Sequence, residues 1–300
     1  MPRVSARIGA HVSVAGGVLR ALERAAAIGA EVMQVFVANP RAWAPPPVDA
    51  DADAAFAAAC SVPVFVHAPY LINFGSPSAD TLARSADALA FSLRRGAAIG
   101  AAGVVVHAGS AVLGHRWADA MAQLRPAVLS VLDAGPDAPR LLIEPTAGGG
   151  GALASDPSSL AAYLDALGRD ERIGVCLDTC HMHAASPAGL GDARSFASAL
   201  RAYARAAGPG RIGLLHVNDS RDAAGSKRDR HESIGRGTIG REAFAALFAT
   251  PATRSVPMVV ETADADHAAD IATLKALRAA CVASARRSGA VHSPERSRTR

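Results

Sequence analysis

Short apolar runs alternate with longer alanine-rich stretches along the whole of the 300-residue chain. The runs predict strands at Arg7–Ala10, Glu31–Phe36, Val64–His67, Gly103–His107, Arg140–Glu144, Ile173–Asp178, Arg211–Asn218 and Pro257–Glu261. Between them, helical spacing is expected near Gly17–Ile28, Asp51–Ala59, Ala79–Ile99, Trp117–Leu132, Asp156–Leu167, Ala193–Ala206, Arg241–Phe248 and His267–Ala285. Strands that alternate with helices imply a parallel sheet. Eight such units in about 280 residues match a (β/α)8 TIM barrel, with a doubly wound open sheet as the competing architecture. Gly29, Gly100 and Gly168 stand where helix C-caps are wanted. No break in composition splits the chain. A single barrel domain over 1–287 is expected, followed by a basic tail, 288–300, that lacks an apolar period and is expected to be disordered.

Composition adds bounds. Half of the residues are hydrophobic and 19% are charged, enough apolar surface for a full core. No apolar stretch reaches the roughly 18 residues of a membrane helix. Met1–Arg7 lacks a signal-peptide core, so a cytoplasmic protein without membrane contact is expected. Cys60, Cys176, Cys180 and Cys281 form no CxxC pair and read as reduced, mostly buried thiols. The net charge of +4 is weak support for a polyanionic partner, since the tail supplies part of it.

The strand ends carry the chemistry. The third strand ends at His67, the fourth at His107, the fifth at Glu144, the sixth at Asp178 and the eighth at Glu261, and His216 lies near the end of the seventh. His181 follows Asp178 by three residues. A long polar connection, Asp219–Gly240, adds Asp229 and His231 at the barrel face where such enzymes keep their active sites. Alone, each residue reads as a structural hydrogen-bonder or a helix cap. Together, the carboxylates would repel and the imidazoles would lose hydration unless divalent cations sat among them. Histidine with carboxylate suits Zn²⁺, with Mn²⁺ or Fe²⁺ as alternatives. The set exceeds what one ion takes and fits two or three, a pattern typical of phosphoester hydrolysis.

At these residues the chain resembles the endonuclease IV family of abasic-site endonucleases. The resemblance is carried by IGAHVSVAGG (Ile8–Gly17), QVFVANPRAW (Gln34–Trp43), HAPYLINFGSP (His67–Pro77), VVVHAGS (Val104–Ser110) and IEPTAGGG (Ile143–Gly150). VCLDTCH (Val175–His181), HVNDS (His216–Ser220), GSKRDRHESIGRGTIG (Gly225–Gly240) and VVET (Val259–Thr262) complete it. It implies a TIM barrel with three zinc ions per chain. His67, His107 and Glu144 would hold the first; Glu144 would bridge to a second held by Asp178, His216 and Glu261; His181, Asp229 and His231 would hold the third. The implied activity is cleavage of duplex DNA 5′ to an abasic site, leaving a 3′-hydroxyl and a 5′-deoxyribose phosphate, with related 3′-end trimming. Glu144 would act as the base, with Glu261 the other candidate. Arg41, Tyr70 and Leu71 would enter the DNA at the lesion, and Lys227, Arg228 and Arg230 would contact phosphates. A monomer is expected.

The chain departs from the family pattern at Pro145, where Asn is usual, at Gly149, where Gln is usual, and at Ala108, where Pro is common. These positions bear on orientation and rate more than on metal binding. Two rivals stand beside this reading. A sugar isomerase or epimerase on the same barrel would use the Glu, Asp, His, Glu set of strands five to eight with one or two metals, and would leave His67, His107 and the Asp229–His231 pair idle. A non-cleaving binder of damaged DNA is the other.

Overall fold

The computed structural model describes residues 5–112 and 114–290, with side chains as far as 284. Numbered in chain order, its strands are β1 (Ile8–His11), β2 (Met33–Phe36), β3 (Val64–His67), β4 (Gly103–His107), β5 (Arg140–Glu144), β6 (Ile173–Asp178), β7 (Ile212–His216), β8 (Asp219–Ser220), β9 (His231–Glu232) and β10 (Met258–Val260). All but β8 and β9 form one closed parallel barrel in the order β1-β10-β7-β6-β5-β4-β3-β2. The single-domain TIM barrel expected from the alternation is therefore the observed fold, and the open sheet is excluded. Successive barrel strands lie side by side because each crossover is long enough to return the chain parallel, and β1 pairs with β10 to close the sheet.

The helices that cover the barrel are α1 (Leu19–Ala27), α2 (Ala50–Ala59), α3 (Ala79–Ala98), α4 (Trp117–Asp133), α5 (Pro157–Ala166), α6 (Thr179–Ala185), α7 (Ala193–Ala207), α8 (Ala245–Ala249) and α9 (His267–Ala290). Their starts follow from local chemistry. Asp49, Ser78, Asp156 and Asp192 each accept a backbone N–H of the first turn, and each such cap contributes about 1 kcal/mol. Gly29, Gly100 and Gly168 end α1, α3 and α5 at φ of 66°, 72° and 67°, a left-handed geometry that a side chain would strain.

Two layers of apolar side chains result. The larger lies between the strands and the helices, built around residues such as Phe56, Leu89, Leu124, Tyr163, Phe196 and Phe244. The smaller fills the barrel interior with Val32, Phe65, Val105, Leu142, Cys176, Leu214 and Val259. The interior is thus a packed floor rather than a pore.

Four local features differ from the sequence reading. Helix α6 follows β6 directly and was not expected. The last helical segment before β10 is a 3-10 turn, Arg241–Phe244, continued by the short α8. The long polar connection is folded, with β8 and β9 pairing antiparallel. Helix α9 runs to Ala290, so the backbone shows no break at 287/288. The remainder of the expected tail, 291–300, lies outside the described residues.

Candidate metal centre

A strand sends alternate side chains to opposite faces, so position in the barrel is set by parity. The floor residues are Val32, Phe65, Val105, Leu142, Cys176, Leu214 and Val259. Two residues further along the same seven strands stand Gln34, His67, His107, Glu144, Asp178, His216 and Glu261. One pleat above the apolar floor is therefore a polar layer at the C-terminal mouth. Parallel register aligns it: His107 pairs with Glu144, and Asp178 with His216.

Glu144 is the hub of this layer and is 1% exposed. Its Oε2 lies 3.3 Å from His67 Nε2 and 3.4 Å from His107 Nε2. Its Oε1 lies 3.2 Å from both His181 Nδ1 and His216 Nδ1. His216 Nδ1 is also 3.1 Å from Glu261 Oε2. On the other side, Asp229 bridges His181 Nε2 at 3.1 Å and His231 Nε2 at 3.0 Å. A cavity of about 270 Å³ opens here, lined by His67, Tyr70, His107, Glu144, His181, Asp229, His231 and Glu261.

Ligand atoms of His67, His107 and Glu144 lie within 4.8 Å of one another, as do those of Asp178, His216 and Glu261. The expected third group is divided between two overlapping sets, Asp178–His181–His231 and Cys180–Asp229–His231. The sequence reading did not anticipate the thiols. Cys180 belongs to one set and Cys176 to another, with Glu144 and His216. Burial pushes both thiols up to about 12, which disfavours the thiolate that would bind metal.

The back nitrogens of the histidines test whether metal ions fit. His67 Nδ1 donates to the Ala68 carbonyl at 2.7 Å, His181 Nδ1 to the Pro145 carbonyl at 3.0 Å, and His216 Nε2 to the Gln34 side-chain oxygen at 2.9 Å. His231 Nδ1 faces the Glu261 carbonyl at 3.4 Å. Each ring is thereby fixed with its other nitrogen toward the carboxylates. His231 Nε2 is buried there without a hydrogen bond of good geometry. Imidazoles held from behind with their other nitrogens converging in front are the arrangement that metal-ligating histidines adopt.

Local structure explains how the later candidate ligands arrive. Asp178 accepts the His181 N–H at 2.8 Å and so caps α6, which puts His181 one turn further on. Asp229 and His231 come from the long connection. Its anchor is Asp219, fully buried, which accepts N–H groups of Ser220, Gly235, Ile239 and Gly240 at 2.8, 2.9, 2.9 and 3.3 Å. His183 adds a second tie: its Nδ1 accepts from Leu190 N–H, and its Nε2 faces Thr238 Oγ1.

Charge in the cluster is mutually compensating. Burial alone would raise Glu144, but the histidines around it, His216 first, hold its carboxyl well below the usual range. Burial would lower His181 and His216, yet neighbouring acids (Asp178 for His181; Cys176, Glu261 and Glu144 for His216) raise both well above their ordinary value. For His231, burial is likewise outweighed, by Asp178 first, and its pKa rises to about 9. Without metal, the protein balances its carboxylates with protons on imidazoles.

A model of the xylose isomerase-like TIM barrel matches residues 22–280. A probable endonuclease 4 of Streptomyces coelicolor is 48% identical over 284 residues, covering 90% of this chain and 95% of that protein. The chain belongs to the endonuclease IV family. The crystal structure of endonuclease IV from Thermus thermophilus superposes with a TM-score of 0.77 at 32% identity, covering 90% of this chain and 98% of that one. An L-ribulose 3-epimerase shares the fold, with a TM-score of 0.69 at 20% identity over 97% of this chain and 99% of that one.

The positions at which this member departs from the endonuclease IV pattern have visible settings. Pro145 keeps its carbonyl as the acceptor for His181. Gly149 lies at φ of 102°, a conformation in which the usual glutamine would be strained. The expected DNA-contact residues sit on the rim. Tyr70 is 46% exposed and stacks its ring on His107 with centroids 5.6 Å apart. Leu71 beside it is half-buried and Arg41 is exposed. Tyr70 N–H donates to the Pro40 carbonyl at 3.0 Å, which joins the two loops. Lys227, Arg228 and Arg230 are exposed; Arg228 lies 3.7 Å from Asp222, and Arg230 is engaged by both oxygens of Asp222 at 2.5 and 2.6 Å.

Sequence reasoning gave no role to Gln34, Asn218 or Asp219. Asn218 donates to Asp178 at 2.6 Å and accepts the Glu261 N–H at 2.8 Å, steadying two acids at once. The signal that would have found Gln34 is the parity rule applied to the second strand. Applied to the first, it gives His11, which contacts Glu261 at 3.4 Å.

Proposed function

We propose that the protein is a DNA-repair phosphodiesterase that hydrolyses duplex DNA on the 5′ side of abasic sites, leaving a 3′-hydroxyl and a 5′-deoxyribose phosphate. The observation that carries the reading is the set of buried and half-buried imidazoles, four of them held from behind, whose front nitrogens converge on Glu144, Asp178, Asp229 and Glu261. Membership in the endonuclease IV family supports it, as does the name of its Streptomyces relative.

His67, His107 and Glu144 would hold one zinc ion; Glu144, Asp178, His216 and Glu261 a second; His181, Asp229 and His231 a third. Mn²⁺ or Fe²⁺ would suit the same donors. When bound, the ions would activate water and neutralise charge on the phosphate oxygens. Glu144 is kept anionic by its histidines and is the group placed to take the proton of the attacking water; Glu261 is the alternative. Arg41, Tyr70 and Leu71 enter the duplex from the rim and hold it bent. Lys227 and Arg228 meet the phosphates, with Arg230 behind them. The same centre would trim blocked 3′ ends. The chain acts as a monomer.

The test is a duplex carrying one tetrahydrofuran residue, mixed with zinc-loaded protein. A single nick 5′ to that residue is expected. Intact DNA with ions verified as bound would overturn the activity. The sugar epimerase reading draws on a shared fold, which at 20% identity says nothing of substrate. Metal counting separates the two: three ions per chain favour the nuclease, one or two the epimerase.

A further inference from the structure

The side chain of Gln34 is fully buried in the polar layer, on a strand that contributes none of the proposed ligands. It lies between two of them. Its oxygen is 2.9 Å from His216 Nε2. Its nitrogen is 2.7 Å from Glu261 Oε1 and 2.9 Å from His11 Nδ1. These contacts leave one orientation of the amide. Glu261 only accepts, so the nitrogen must face it; the reverse would set two oxygens against each other. The oxygen must then receive a proton from His216 Nε2.

We propose that Gln34 is a positioning residue of the metal centre, whose amide dictates which ring nitrogen of His216 faces the ions and aims Glu261 at the same ion. This rests on the metal-dependent reading above. With Nε2 committed to Gln34, Nδ1 is the nitrogen left for an ion, and it is the one 3.2 Å from Glu144 and 3.1 Å from Glu261. The second amide hydrogen goes to His11 Nδ1, which puts the His11 proton on Nε2, a buried atom without a hydrogen-bond partner among the described residues. A single neutral amide thus orders two rings and one carboxylate without adding charge. A carboxylate in its place would bind His216 as well but would repel Glu261; an apolar side chain would leave the His216 N–H buried and unpaired.

The test uses the full chain and zinc alone. Wild-type protein and the variants Gln34→Leu, Gln34→Met and Gln34→Glu are loaded, counted for metal by mass spectrometry, and titrated with a competing chelator. Partners behind metal ligands typically change affinity 10–100-fold. One zinc per chain is expected to be released at 10–100-fold lower chelator concentration from the Leu and Met variants, while the rest are held as in wild type. In ring-nitrogen NMR, the His216 Nε2–H signal should persist in the wild type and in Gln34→Glu, and be lost in Gln34→Leu. Gln34→Glu should still lose its ion, through Glu261. Should the Leu variant not fold, the Met and Glu variants decide. Variants that keep every ion at wild-type affinity would overturn the proposal, as would loss of all ions in step with unfolding. A wild type that takes up no zinc would instead overturn the metal-dependent reading itself.

Discussion

His216 Nδ1 and Glu144 Oε1, 72 residues apart in the chain, lie 3.2 Å from each other at the mouth of the barrel. The same carboxylate reaches His67 and His107 with its other oxygen. Glu144→Gln keeps the shape but removes the charge that the proposed ions and proton transfer would need. Turnover on tetrahydrofuran DNA should fall at least ~100-fold, in the range of general-base loss, and chelation of wild type should do the same until zinc is returned. Substantial residual cutting by the variant, read on a denaturing gel, would remove Glu144 from its role.

Metal uptake should be coupled to proton release. In the metal-free protein, His181 and His216 are raised above the ordinary histidine value and His231 to about 9. Each proton must leave before its nitrogen can bind metal. Zinc affinity should therefore climb with pH until about 9. The metal-free fold should behave oppositely: raised histidine pKa values stabilise below the ordinary 6.5, and that stability is lost as pH rises toward 9. Calorimetry in buffers of different ionisation heat would check the first, and melting curves with and without zinc the second. A pH-independent affinity between 6.5 and 9 would contradict the coupling.

Asp219 touches no proposed ligand side chain, yet it sets the connection that carries Asp229 and His231. Asp219→Ala would strand up to four backbone N–H groups. A loss of about 3 kcal/mol is expected on the basis of buried hydrogen-bond removal, together with weaker metal binding. Urea unfolding of the metal-free protein measures the first. A change under 1 kcal/mol would show that the loop is held by other means.

The loop cations should not be equivalent. Lys227, Arg228 and Arg230 are all exposed, but Arg228 makes only a loose 3.7 Å ion pair with Asp222, while Arg230 is held by both oxygens of that carboxylate. Lys227→Ala and Arg228→Ala should each lower the slope of log affinity against log salt by about 0.9, the value for one phosphate contact. Arg230→Ala should change the slope less and loosen the loop instead. Binding measured from low to moderate salt on uncleaved DNA gives the slopes; an equal drop for all three would equalise their roles.

Much of this was legible in the linear pattern. The barrel follows from strand and helix alternation, because a short crossover leaves parallel neighbours few other arrangements. The proposed ligands on β3 to β7 and at the end of β10 were visible as acids and histidines at the ends of apolar runs. Gln34 was not, because an amide at a strand end looks like any polar residue until its neighbours are known. Helix α6 was hidden as well. It exists because Asp178 caps it, and the same side chain belongs to a ligand set.

The sequence alone determined which chemistries were available and on which strands they stood, since side-chain type and a two-residue pleat are local properties. Only the closed barrel decided which of those groups meet. Closure brings β10 beside β1, with β7 next to β10, so Glu261 and His216 come within reach of His11 and Gln34 across the mouth. Those proximities depend on register and curvature around the whole sheet, which no single segment encodes.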